Sequence, residues 1–433
     1  MGVVQATLML FLIFFGLMFV GVPISVSIGV ASISILFTGF DPDALAYIVA
    51  QRCFSGIDSF GLLALPFFML AGSIMNKGGI ARRLVRLARC FVGKIPGYLA
   101  ATNVLTNMFF GAISGSSVAA ASAVGKIMGP LEKQENYEDA YAAAINICSA
   151  PTGVIIPPSG PLILFSLTAG GVSVSALFMA GYIPGILLGL CVMAVAIIIA
   201  KKKGYTGSTV KETDSTLKIF LDAIPCILMM VIVMGGILLG WFTATEAGIV
   251  ACLYCIALGF LYRELTVKQL WNLMSECMMD TAVILFLIAA SNIMSYAMSF
   301  TGIPAALSAM LMSITDNKYI LLLIMNVFLL VLGMFLDLTP AVLIFTPIFL
   351  PIATGFGMNP VHFGVMLILN LAIGSVTPPV GSVLFVGCNV ANVTMEEVTK
   401  YIVPTFVAMV FALMLVTYIP ALTLFIPQLA GLI

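Results

Sequence analysis

Gly111-Ala-Ile-Ser-Gly-Ser-Ser117 and Gly333-Met-Phe-Leu-Asp-Leu-Thr-Pro340 stand at the middle of two apolar runs, residues 97–130 and 318–353. A helix that crosses a hydrocarbon core of about 30 Å needs about 20 residues. Each run is too long for one such helix and too short for two. The polar and helix-breaking residues at the midpoint resolve the misfit if each run enters the membrane as a helix, turns at the quoted tip and returns to the same side.

The basic residues test that reading. Lys77, Arg82, Arg83, Arg86, Arg89 and Lys94 mark one cytoplasmic stretch, and Lys201-Lys-Lys203 with Lys211 and Lys218 mark another, because cytoplasmic loops are enriched in Lys and Arg. Between them lie 97–130 and the runs 138–168 and 175–200. Both clusters share a side only if 97–130 returns to where it began, as a re-entrant hairpin does. The arm 80–92 has Arg on one face and Ile80, Leu84, Leu87 and Phe91 on the other, the pattern of an interfacial helix.

Composition extends the reading to the whole chain. Of 433 residues, 62% are hydrophobic and 8% charged, against about 25% charged in a soluble domain. Further apolar segments near 5–20, 22–39, 61–76, 219–241, 242–262, 277–300, 362–390 and 404–427 predict an all-α polytopic membrane protein, since helix is the spanning element for runs this continuous. The first run has neither a basic leader nor a small-residue cleavage site and reads as a retained span. A net charge of zero gives no indication of a nucleic-acid partner. Cys252-Leu-Tyr-Cys255 is the one close cysteine pair, and it lies inside an apolar run, so all nine cysteines read as small buried hydrophobes. His362 is the single histidine, which argues against a histidine metal site or a triad. No GxSxG, HExxH or Walker motif occurs, so the chain does not read as an enzyme.

The chain also repeats itself. Val20-Gly-Val-Pro-Ile-Ser-Val-Ser-Ile-Gly29 resembles Gly240-Trp-Phe-Thr-Ala-Thr-Glu-Ala-Gly248, and Phe67-Phe-Met-Leu-Ala-Gly-Ser-Ile-Met75 resembles Phe286-Leu-Ile-Ala-Ala-Ser-Asn-Ile-Met294. Gly79-Ile-Ala pairs with Gly302-Ile-Pro, Gly111 with Gly333, Gly153 with Gly374, and Pro157-Pro158 with Pro378-Pro379. One spacing, roughly 220 positions, serves every pair. The first arm carries six basic residues from Lys77 to Lys94, whereas Tyr296 to Asn317 carries none, so the second arm is expected on the periplasmic side. Two inverted repeats follow, residues 1–218 and 219–433, each with one re-entrant hairpin (97–130, 318–353) and one broken span (138–168, 362–390). Inverted repeats with broken helices are secondary-transporter architecture.

A site within the membrane needs backbone polar groups released from helical partners, which is tolerated around a cavity. The tips Ser114-Gly-Ser-Ser117 and Asp337-Leu-Thr-Pro340 supply such breaks, as do Ser149-Ala-Pro-Thr-Gly-Val-Ile-Ile-Pro-Pro-Ser159 and Asn370-Leu-Ala-Ile-Gly-Ser-Val-Thr-Pro-Pro379. Each pairs hydroxyl or carboxylate oxygens with free carbonyls, the shell preferred by a hard monovalent cation such as sodium. One ion site is expected at Gly111, Ser114, Ser116, Thr152 and Gly153, and a second at Gly333, Asp337, Thr339, Gly374 and Thr377. Half-helix N-termini beside them suit a substrate carboxylate, with Ser116, Ser117, Pro158, Ser159, Thr339 and Pro379 as expected contacts. Plainer readings stay open here. Ser114 and Ser116 serve equally as helix caps or small packing residues, and Asp337 as the N-cap before Leu338. Asp222, Glu246 and Asp280 lie nearer span ends and read as structural or interfacial.

Leu65-Pro-Phe-Phe-Met-Leu-Ala-Gly-Ser-Ile-Met-Asn-Lys-Gly-Gly-Ile-Ala-Arg-Arg-Leu84, Phe110-Gly-Ala-Ile-Ser-Gly-Ser-Ser-Val-Ala119, Ile155-Ile-Pro-Pro-Ser159 and Gly374-Ser-Val-Thr-Pro-Pro-Val-Gly381 resemble the large membrane (M) subunit of TRAP transporters. The resemblance runs from about residue 5 to the C-terminus and places the chain in the ion transporter superfamily. It implies an elevator-type fold with a moving transport domain linked to a scaffold by the arms 80–94 and 303–315. It implies a smaller four-helix membrane subunit and a periplasmic substrate-binding protein as partners in the bacterial inner membrane, with sodium-driven import of a small organic acid such as a C4-dicarboxylate or sialic acid. Two rivals remain at this point: a stand-alone organic-anion symporter or antiporter, and an intramembrane lipid-modifying enzyme.

Overall fold

A computed structural model describes residues 2–77, 79–93, 95–205, 215–315 and 317–433. Lys94 and Lys211 of the basic clusters lie outside them. Among the described residues every regular element is a helix. The first half runs α1 (Val3–Phe19), α2 (Ile24–Leu36), α3 (Pro42–Ile57), a 3-10 turn η1 (Phe60–Leu63), α4 (Ala64–Lys77), α5 (Ile80–Val92), α6 (Tyr98–Ser114), α7 (Ser117–Gln134), α8 (Asp139–Ser149), α9 (Thr152–Ile155), α10 (Gly160–Thr168) and α11 (Val174–Lys202). The second continues α12 (Thr216–Leu238), α13 (Ala244–Leu261), α14 (Val267–Thr301), α15 (Ile303–Ile314), α16 (Lys318–Gly333), α17 (Leu338–Gly355), α18 (Pro360–Gly374), α19 (Ser382–Ala391), α20 (Met395–Tyr418) and α21 (Ala421–Leu429).

Among the described residues seven helices are long and apolar enough to cross a membrane, and α8–α9 with α10 form an eighth candidate bent by 48°. The outer surface suits lipid. On α1, Val4, Leu8 and Leu12 are exposed in a row while Ala6, Leu10 and Phe14 are buried, and a water-facing surface does not display such a row. The chain is a multi-pass membrane protein.

Almost every side chain of α6, α8 and α18 is buried. These helices hold the centre, where small residues such as Ala142, Ala143 and Ala144 of α8 let backbones approach without a hydrophobic driving force. Helices α1–α4 pack with α13 and α14, whereas α6–α11 pack with α16–α21. The arm α5 joins the two groups by packing on α6 and α12, and α15 does so through α1, α14 and α17.

Several expectations need correction. Helix α3 has no apolar run to announce it and buries only Leu45; its legible signal is the Asp41 cap, which accepts from the Ala44 N–H at 3.3 Å, followed by Pro42 at the first helical position. Helix α14 begins at Val267, ahead of the expected 277, under a Thr266–Gln269 capping box. The apolar face of α5 does not lie in an interface. Ile80, Leu84 and Leu87 are buried under protein while Phe91 is exposed. Nor is the basic face wholly solvated: Arg83 pairs with Glu264 at 3.2 Å and stacks on the Tyr262 ring at 3.7 Å. Glu246 is structural, closing a capping box with Thr243 at the start of α13.

Candidate functional site

The first tip forms where α6 meets Gly115, whose φ of +61° is the left-handed region that glycine enters without strain. Its N–H donates to the Gly111 carbonyl at 2.7 Å and ends the helix. Ser116 is extended and starts α7, its Oγ accepting from the Ala119 N–H at 3.3 Å. Behind the tip, α6 and α9 touch backbone to backbone: a Cβ built on Gly111 would fall 2.1 Å from the Gly153 Cα, and the reverse construction gives the same distance. Thr152 donates its hydroxyl to the Ser149 carbonyl at 2.6 Å. The first break presses on the tip as well, with the Pro158 carbonyl 3.1 Å from where a Gly115 Cβ would lie.

The second tip is built alike. A Cβ on Gly374 would sit 2.7 Å from the Gly333 Cα, and Thr377 donates to the Gly374 carbonyl at 2.6 Å. The backbone N–H groups of Val380 and Gly381, freed at the break in α18–α19, donate to the Met334 carbonyl at 3.3 and 3.2 Å. Asp337 holds the N-cap position of α17, yet its side chain makes no cap bond. The carboxylate instead accepts from the Ser382 hydroxyl at 2.9 Å, and the residue is exposed rather than enclosed in the apolar run.

The two tips meet. Ser114–Val118 and Asp337–Thr339 line one cavity of about 150 Å³, together with Gly160 and Pro161 from the first break, against walls that include Leu65, Phe68 and Ile284. Three helices begin there: α7 at Ser117, α10 at Gly160 and α17 at Leu338. The first N–H groups of a helix have no intrahelical acceptor. Ser116 and Ser159 take one each, from Ala119 and Leu162, and the remainder, with the positive dipole ends of three helices, make this a place for negative charge.

Of the expected contacts, Ser116, Ser117 and Thr339 line the cavity. Pro158 and Ser159 stand one layer back, against Gly115. Pro379 is an exposed residue of the second break and is not among the cavity-lining side chains. Gly111, Thr152 and Gly153 sit together behind the first tip, and Gly333, Gly374 and Thr377 behind the second. Both Pro157-Pro158 and Pro378-Pro379 are joined by cis bonds.

Sequence reasoning passed over Ser382, the walls, and the polar networks beneath the breaks. Asn107 Nδ2 lies 2.9 Å from Asn103 Oδ1, 3.0 Å from Asn146 Oδ1 and 2.8 Å from Ser149 Oγ, while Asn103 donates to buried Glu132 at 3.1 Å. In the second half Asn370 donates to Asn326 Oδ1 at 2.8 Å, and Asn326 to Thr417 Oγ1 at 3.1 Å. Asparagines within apolar runs, two of them at helical spacing, were the available signal. His362 is structural: Nδ1 meets Thr423 Oγ1 at 2.6 Å and Nε2 the Thr417 carbonyl at 3.2 Å.

Comparison with known proteins agrees with this architecture. A family model described as "Tripartite ATP-independent periplasmic transporter, DctM component" matches residues 11–422. The uncharacterized protein YgiK of Salmonella typhimurium is 47% identical over 95% of this chain and 94% of its own length. The sialic acid TRAP transporter large permease protein SiaM of Vibrio cholerae is 34% identical, covering 96% of each. The solved YdaH transporter of Alcanivorax borkumensis overlays with a TM-score of 0.65 on 87% of this chain and 89% of that one, at 12% identity, a likeness of fold alone. With the family model spanning nearly the whole helical core and relatives matched end to end, this chain belongs to the DctM family of tripartite ATP-independent periplasmic transporters and is a transporter permease, not an enzyme.

Proposed function

We propose that the chain imports a small organic acid across the bacterial inner membrane by sodium-coupled symport, as the large subunit of a binding-protein-dependent TRAP transporter. The observation that carries this reading is the cavity where both tips meet at the N-termini of α7, α10 and α17. It offers a carboxylate three partial positive charges and sets it beside two oxygen-rich corners. Sodium is assigned to Gly111, Ser114, Ser116, Thr152 and Gly153 at one corner. At the other it is assigned to Gly333, Asp337, Thr339, Gly374 and Thr377. Backbone carbonyls and hydroxyls supply the ligands in the first, and Asp337 adds formal charge in the second. Ions bound behind the tips draw each tip onto its broken span and so complete the anion site, which is how ion and substrate binding become mutually dependent.

The 97–130 and 318–353 runs act as re-entrant hairpins, and the halves 1–218 and 219–433 as inverted repeats. Matched details support the repeat: Tyr141 donates to the Ala196 carbonyl at 2.7 Å, as His362 Nε2 meets that of Thr417, and Gly79 and Gly302 both precede an arm at positive φ. Alternating access is elevator-like, the group α6–α11 with α16–α21 moving against α1–α4 with α12–α14, on the arms α5 and α15. A small four-helix membrane subunit and a periplasmic binding protein that delivers the acid are the partners. Co-purification with a small hydrophobic subunit separates this from a stand-alone symporter.

Thermal unfolding of the purified chain in sodium against potassium at equal ionic strength tests the coupling. A ligand of the folded state raises its stability by mass action. We expect a sodium-specific rise that shrinks in Asp337→Ala; an equal response of both proteins to the two ions would remove the second ion site.

A further inference from the structure

Beside the cavity between the tips lies a second one, of about 180 Å³, enclosed by α3, η1, α10, α14 and α17. The two share walls. η1 and α4 set Leu62 in the second and Leu65 in the first, α14 sets Ile288 in the second and Ile284 in the first, and Leu164 of α10 lines both. They are successive chambers along the same three elements.

Their chemistry differs. Beside aliphatic side chains such as Leu167 and Leu343, the second chamber is lined by Ser55, Ser59, Thr168, Ser291, Asn292 and Ser295, and among the described residues by no charged side chain. Thr168 donates to the Leu164 carbonyl at 2.8 Å, Ser55 to that of Arg52 at 3.3 Å, and Asn292 Nδ2 to that of Ile288 at 3.2 Å. With their hydroxyl protons engaged in their own helices, Ser55 and Thr168 have acceptor oxygen left to offer, while the Asn292 amide keeps a second N–H. The Ser291 hydroxyl is buried, the residue 6% exposed, and it has no hydrogen-bond partner among the described residues. A buried polar group in that state awaits a ligand or water to pair with it.

We propose that this chamber is a second subsite, which binds the hydroxyl-bearing tail of the transported acid while its carboxylate occupies the N-termini next door. The proposal rests on the reading of the first cavity as the carboxylate site. A carboxylate accepts hydrogen bonds and donates none, so it cannot pair with the acceptor oxygens of Ser55 and Thr168, and the helix N-termini next door suit it better. Hydroxyl groups donate to those oxygens and accept from Ser291. The substrate class is accordingly a polyhydroxylated carboxylate rather than an alkyl acid, because burying an alkyl tail here would leave the Ser291 hydroxyl unpaired.

The test uses the full chain in lipid nanodiscs, with thermal unfolding at constant sodium and sodium D-gluconate or sodium hexanoate as probes. The two acids share carbon number and charge and differ in their hydroxyls. Gluconate is expected to raise the midpoint and hexanoate not. Ser291→Val and Ser295→Val should each weaken gluconate binding about tenfold, the equivalent of about 1.4 kcal/mol, while Ser291→Thr keeps it. Each variant's own sodium response reports whether it is folded. Equal responses to the two acids, no response to gluconate, or both valine variants retaining wild-type gluconate affinity would overturn the subsite. Loss of the sodium-against-potassium difference in the unsubstituted chain is a separate result, and it strikes the coupling reading instead.

Discussion

Replacing Gly111 by alanine probes the junction on which the first ion site is built. The added Cβ would lie 2.1 Å from the Gly153 Cα, 3.0 Å from its N and 3.2 Å from its carbonyl carbon. Carbon atoms rest against each other at about 3.5 Å, so α6 and α9 must separate by roughly 1.4 Å. All three nearest atoms are backbone, and no flexible side chain can turn aside. Overpacking of this kind destabilises by about 1–3 kcal/mol, and each 1.4 kcal/mol is about tenfold in an equilibrium. The shift also carries Ser114 and Ser116 away from Thr152, so sodium binding should weaken along with the fold. Graded contacts supply internal controls: a Cβ on Gly374 comes within 2.7 Å of the Gly333 Cα, and one on Gly333 within 3.1 Å of the Gly374 Cα. The expected order of damage is therefore Gly111→Ala and Gly153→Ala, then Gly374→Ala, then Gly333→Ala, with the last needing only a few tenths of an ångström of adjustment. Thermal unfolding in sodium and in potassium reads both stability and ion response. Gly111→Ala with the midpoint and sodium response of the unsubstituted chain would refute the reasoning, as would greater damage from Gly333→Ala.

Three further outcomes are open to direct measurement. Ser382→Ala removes the donor 2.9 Å from Asp337 and should reduce the sodium response less than Asp337→Ala does; an equal or larger loss would make Ser382, not the carboxylate, the key ligand. Glu138, held by Lys203 and by the Tyr401 hydroxyl at 2.8 Å, has its carboxyl below the ordinary value, the Lys203 hydrogen bond being the largest cause. Its depressed pKa gives stability that is present above the unfolded carboxylate value of about 4.3 and lost as pH falls through the folded one. Glu138→Gln should therefore destabilise at neutral pH by no more than about 1 kcal/mol, since the pair is partly exposed, and the difference should vanish in acid; a pH-independent difference rejects the ion pair as its source. In a cysteine-free background, a cysteine at Thr315 should react with an impermeant reagent from the periplasm and one at Arg86 should not, and labelling from one common side would end the inverted-repeat argument.

Much of this molecule is legible along the chain because its governing features are local. Apolar length against bilayer thickness marks the spans, and Gly-Ser or Pro-Pro interruptions mark where helices must stop. Gly111, Gly153, Gly333 and Gly374 stand out in the sequence as repeated glycines, and in the fold each pair is a backbone contact. Helix α3 escaped because its side chains are mostly exposed and carry no apolar run, and the Asn103–Asn107–Asn146 network because an amide in an apolar helix says nothing about which helix will answer it.

The helical class, the placement of the tips and breaks, and the kinds of oxygen they offer are thus written in the residue order. Tertiary structure decided the rest: that tips far apart in the chain face one cavity, that Asp337 turns to Ser382 instead of capping its own helix, that Arg83 reaches Glu264, and that serines from α3 and α14 close a chamber with Thr168. The physical reason is range. Hydropathy and helix breaking act over a few neighbouring residues, whereas a binding site is a coincidence of distant segments that only the packing of helices brings about.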